Sequence, residues 1–131
     1  MTDPDRMVVW LREAMDAAGQ LAEAAARETT SADWEYQDHD NRLVATIPPR
    51  FTVADVDYLD PAPGKFMAAN DPAAVLRRIA ADRKTLDLHQ NVAGKCDECG
   101  RGYELSDWGP DFPCATVRLL AEGYGWTEEA P

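Results

Sequence analysis

Cysteine is scarce in this chain and odd in number. The three thiols, at positions 96, 99 and 114, cannot pair off completely, so a disulfide framework is excluded as the basis of the fold. Long apolar runs are missing as well. Nothing approaches the ~18 consecutive apolar residues of a membrane-spanning helix, and no membrane association is expected. The first residues, MTDPDRMVVWLREAMD, place acids before the first apolar run and lack a basic n-region, which does not read as a secretion signal. With the unpaired thiols, this leads to an expectation of a reducing cytoplasm. Positive charge is also in short supply, with 13 Lys and Arg against 24 Asp and Glu and a net charge of −11. Such a surface repels a phosphate backbone, so direct nucleic-acid binding is not expected, and the charge reads first as a means of staying soluble. No serine stands in a nucleophile elbow and no glycine-rich phosphate loop occurs, so no catalytic residue is assigned.

What is present suits a folded protein. Hydrophobic residues make up 45% of 131 positions, enough to build a core, and the length fits a single domain over residues 1–131. The periodicities predict an α+β fold. Val8, Leu11, Met15, Ala18, Ala22 and Ala25 recur at helical spacing, with Met7, Ala14 and Leu21 widening the stripe, so a long helix is expected over 3–28. Its alanine-rich second half also admits a dimer seam, leaving monomer and small homo-oligomer both open. A β region is expected over 33–59: DWEYQ and RLVATI flank the turn-rich DHDN as a hairpin, and FTVADVDYL follows as a third extended run. DPAPG reads as a loop before a short helical piece, KFMAAN. Asp71 and Pro72 then open a second long helix, expected over 72–90, with Asp71 as N-cap. Arg77, Arg78, Arg83 and Lys84 fall on what reads as its solvated face. A metal knuckle and a short final helix are expected over 94–123.

The chemistry-bearing set is His89-x6-Cys96-x2-Cys99-x14-Cys114. Structural zinc takes four tetrahedral nitrogen and sulfur donors, and a Cys-x2-Cys step lets two thiolates from one tight turn reach the same ion. Gly100 suits a sharp turn after the pair, and Lys95 offers a positive charge beside the thiolates. Cys114 falls where the final helix begins, and the helix dipole favours thiolate there. His89 is the expected fourth ligand, with Asp97, Glu98, Asp107, Asp111 and His39 as competitors for that place. A redox role for Cys96 and Cys99 is disfavoured because Asp97 and Glu98 lie between them and oppose thiolate formation. A deaminase reading lacks its glutamate, since His89 is followed by Gln90 and Asn91. The aspartates of 55 and 57 and the Asp38-His39-Asp40 step read more simply as a wet strand face and a turn.

Three segments, AANDPAAVLRRIAADRKTLDLH (68–89), CDECG (96–100) and PCATVRLLAEGY (113–124), resemble a family of small uncharacterised proteins of actinobacteria and their phages, known only as a domain of unknown function. The resemblance implies a shared small fold and a metal knuckle. Members often carry histidines shortly before the Asp-Pro step, where this chain has Phe66 and Asn70. The expectation drawn from all this is a cytoplasmic protein with structural Zn2+ on His89, Cys96, Cys99 and Cys114, acting on an unknown host or phage protein as an interaction or regulatory module. A zinc enzyme with an open metal position is one alternative, and an acidic inhibitor or regulator of a nucleic-acid-handling protein is another. Trp108, Phe112, Tyr124 and Trp126 are candidates for a contact patch, with core packing the simpler expectation for each.

Overall fold

The computed structural model describes residues 3–47, 51–55, 59–101 and 109–129. It has an α+β architecture. Two compact units divide the chain, Met1–Asp16 with Ala80–Pro131, and Ala17–Ile79, so the division falls inside both long helices. None of the described helices is long and apolar enough to cross a membrane.

The first long helix, α1, runs Asp3–Glu28 as expected. Met7, Leu11, Met15 and Ala22 are its buried apolar side chains, and with buried Gly19 between the last two the stripe recurs every three or four residues. Leu21, assigned to the same stripe by sequence, is instead 74% exposed, because it lies on the flank of the stripe that Ala22 centres.

In the unit from 17 to 79, α1 is followed by Thr29, whose hydroxyl donates to the Ala25 carbonyl (2.7 Å) and accepts the Trp34 indole N–H (3.1 Å). Strands β1 (Trp34–Gln37), β2 (Arg42–Ala45) and β3 (Thr52–Ala54) form an antiparallel sheet in that order. The DHDN tetrapeptide makes the first turn, pairing Gln37 with Arg42 and Trp34 with Ala45. The central strand supplies the core through Leu43, Val44 and Ala45. Val56, Asp57 and Tyr58, which the sequence assigned to the third strand, lie outside the described residues.

The DPAPG segment is not a loop. Helix α2 spans Pro61–Ala69, with prolines in its first turn, where a missing N–H removes no helical hydrogen bond. Gly64 on this helix lies against Tyr36, and a Cβ there would come within 2.1 Å of the ring. Helix α3 spans Pro72–Leu88. Asp71 caps it as expected, one carboxylate oxygen accepting the Ala74 N–H (2.8 Å) and the other the Trp34 N–H (3.0 Å), so one side chain ties the helix start to the sheet start. The four basic residues of α3 are exposed.

In the unit of 1–16 and 80–131, α3 ends at Leu88, two residues earlier than expected, and His89 lies beyond it with its N–H on the Leu86 carbonyl (3.1 Å). A small ribbon follows, β4 (Asn91–Val92) against β5 (Lys95–Cys96). The last helix, α4, is Ala115–Gly123. Gly125, at φ 102°, reverses the chain so that the Trp126 N–H reaches back to the Ala121 carbonyl (2.9 Å), a left-handed helix stop. Trp126 then meets Trp10 edge to face, centroids 5.3 Å apart, a contact worth about 1 kcal/mol beyond its buried area. Phe112 is buried and the Tyr124 hydroxyl donates to Asp82 (2.7 Å), so these aromatics pack within the unit. Trp108 lies outside the described residues.

Candidate metal centre

Four local structures converge on one point. His89 stands one residue past the end of α3, Cys96 closes β5, Cys99 sits in the turn that follows, and Cys114 is the N-cap of α4. The ribbon turn carries Ala93 at φ 53° and Gly94 at φ 84°, the paired left-handed conformation that reverses a two-residue hairpin without splaying its strands. That reversal brings Cys96 back beside His89. The Gly100 N–H bonds the Cys96 carbonyl (2.9 Å), closing the Cys-x2-Cys step into a tight turn. The Cys96 N–H bonds the Pro110 carbonyl (3.1 Å) and the Phe112 N–H bonds the Gly94 carbonyl (2.9 Å), so the stretch leading to Cys114 is strapped to the ribbon.

Close backbone approach completes the arrangement. Gly109 has φ 89°, and a Cβ there would lie 2.6 Å from the Gly100 Cα. No other residue type fits position 109 without displacing backbone.

The donor atoms of His89, Cys96, Cys99 and Cys114 all lie within 4.8 Å of one another. His89 Nδ1 is 3.4 Å from Cys96 Sγ, 3.6 Å from Cys99 Sγ and 3.5 Å from Cys114 Sγ. One ring nitrogen has either one hydrogen or one lone pair to offer, so three simultaneous hydrogen bonds do not account for three equal distances. Tetrahedral coordination of a metal is compatible with them. With Zn–S at ~2.3 Å and Zn–N at ~2.0 Å, adjacent nitrogen and sulfur donors stand about 3.5 Å apart. Cys96 and Cys114 are buried and Cys99 is half-buried, and all three are free thiols.

Crowding three sulfurs sets them against one another electrostatically. Burial, reinforced by the Cys96 and Cys114 thiols, pushes Cys99 up to about 12. Burial also opposes ionisation of Cys114, but the backbone amides of Val117 and Thr116 together with the neighbouring thiols outweigh it, and its pKa falls below the ordinary thiol value. The Cys114 position at the start of α4 thus carries the preference for thiolate that a helix N-terminus confers. A divalent cation removes the mutual repulsion, since each thiolate then faces the metal charge.

Three of the competing residues, Asp111, Glu98 and His39, have partners elsewhere. Lys95, expected to support the thiolates, instead pairs with Asp111 at 2.7 Å and holds its carboxyl below the usual range. Glu98 pairs with Arg101 at 3.1 Å, and His39 lies beside Asp40 in the β1–β2 turn. Asp97 is exposed and Asp107 lies outside the described residues. Sequence reasoning missed the ribbon and the role of Gly109. The ribbon did have a signal, a two-residue Ala-Gly step between Val92 and Lys95. Gly109 had none, because its partner is fixed only by tertiary packing.

A family model described as a family of unknown function, DUF6221, matches residues 4–125. No curated protein and no solved structure matches the chain.

Proposed function

We propose that this chain, which belongs to the DUF6221 family of unknown function, is a structural zinc protein that works by binding another macromolecule. The observation that carries the metal reading is the placement of His89 Nδ1 at 3.4, 3.6 and 3.5 Å from three sulfurs. His89, Cys96, Cys99 and Cys114 would hold the ion. Zinc bound there supplies structural linkage of four chain segments, and four protein donors leave no position for a water molecule. A catalytic open site would need His89 outside the donor set, and its equal approach to all three sulfurs argues against that.

The role as an interaction or regulatory module in a bacterial cytoplasm rests on the closed donor set and on a net charge of −11, which favours a basic protein surface as partner over nucleic acid. Cobalt(II) titration of apoprotein tests the site. A stoichiometric, tetrahedral spectrum with thiolate charge-transfer bands, displaced by equimolar zinc, is expected. Weak octahedral absorption would contradict it. Affinity capture from actinobacterial lysates tests the role, with a stoichiometric protein partner expected and an empty result across several lysates counting against it.

A further inference from the structure

Beside the metal centre, and within the same unit, lies a cleft of about 320 Å³. Its apolar lining is Val8, Val9, Leu86 and Phe112, with Val9 left 41% exposed. Its polar lining includes Arg12, His89, Asn91 and Gln90, whose side-chain amide already donates one N–H to the Asp87 carbonyl (2.9 Å). An apolar wall facing a few convergent polar groups is the usual form of a small-ligand site.

His89 makes the cleft specific. Its Nδ1 is turned to the sulfurs, and the two ring nitrogens of an imidazole point in widely different directions, so Nε2 is aimed away from them. Nε2 is not a buried orphan, so water or a ligand can reach it, and a metal-bound histidine almost always donates its second N–H to a carboxylate, carbonyl or water. With Nδ1 on a metal, Nε2 carries the hydrogen and needs an acceptor. Arg12 is available to the same acceptor, because its contact to Asp87 is 3.4 Å long and exposed on both sides. Asp5 also lines the cleft, and its negative charge weighs more heavily against a dianion than against a monoanion.

The geometry points to this cleft as a binding site for a monocarboxylate with an apolar body, its carboxylate between Arg12 and His89 Nε2 and its apolar part against Val8, Val9, Leu86 and Phe112. The contribution of Nε2 rests on the metal reading above; that of Arg12 does not. A free acid and the C-terminal residue of a partner chain share this chemistry.

The test uses zinc-loaded full-length protein and amide NMR shifts of Val9, Arg12, Gln90 and Asn91. Phenylacetate, the first probe, is expected to give saturable shifts with a Kd on the order of 1 mM, as fits a ligand of its size in an open cleft. Succinate and phenethylamine are expected to bind at least about tenfold more weakly, for want of a single charge of the right sign. Arg12→Gln is expected to weaken phenylacetate about tenfold at unchanged metal content, since it removes one charge-assisted contact. A peptide ending in Ala-Ala-Leu that binds more tightly than phenylacetate, and loses binding on amidation, identifies a chain terminus as the source. Tighter free-acid binding identifies a small molecule. Absence of saturable shifts to about 10 mM phenylacetate, equal binding of phenethylamine, or indifference to Arg12→Gln overturns the proposal. Metal content measured on the same samples separates the two readings, because loss of the metal reading shows as metal-free protein whatever the cleft does.

Discussion

At position 71 a single carboxylate satisfies two backbone N–H groups in different elements, Ala74 in α3 and Trp34 in β1. Asp71→Ala leaves both donors, one buried and one half-buried, without it and is expected to cost about 2 kcal/mol in urea unfolding, whereas Asp71→Asn keeps one good acceptor and recovers part of the loss. An unchanged midpoint for the alanine variant would contradict the capping account. The glycines make a sharper contrast. Gly109→Ala meets Gly100 backbone at 2.6 Å and adopts a left-handed φ, so destabilisation of about 1–3 kcal/mol and weaker metal retention are expected. Gly123→Ala meets nothing within 4 Å at the end of α4 and is expected to be neutral or stabilising by up to ~1 kcal/mol. Equal effects of the two substitutions would count against the close approach at Gly109.

Among the elements, the ribbon of β4 and β5 decides whether Cys96 returns to His89. Its turn holds Ala93 at φ 53°, a conformation that costs a non-glycine residue about 1 kcal/mol. Ala93→Gly is therefore expected to raise the melting temperature slightly and leave the metal site intact, and a fall would show that the turn is not strained at that residue. The same ribbon marks the limit of what the chain discloses before folding. Helix α1, the β1–β2 hairpin and α4 were legible because each spans enough residues for its periodicity to register. Two-residue strands have no period to read. The start of α2 was hidden by Pro61 and Pro63, which signal a loop unless they fall in a first helical turn. The clustering of His89 with the cysteines was legible because Cys96 and Cys99 are local and His89 is only a short ribbon away. The partner of Lys95 was not, since Asp111 reaches it through tertiary strapping and takes a charge that sequence proximity assigned to the thiolates.

For the whole molecule, the account makes metal and folding one equilibrium in the unit that carries the donors. His89, Cys96, Cys99 and Cys114 come from segments that meet only when that unit folds, so an ion bound there would stabilise it directly. Chelation is expected to abolish amide exchange protection at Cys96, Gly100 and Val117 while Val44, in the central strand of the sheet, keeps more of its own. Uniform protection before and after chelation would separate metal from fold. The most direct measurement is metal content per chain by elemental mass spectrometry, on untagged protein purified without chelator or metal-affinity resin. The account predicts one zinc per chain. A folded, metal-free chain would contradict it and leave Cys96 and Cys99 as a thiol pair whose reduction potential becomes the next quantity to determine.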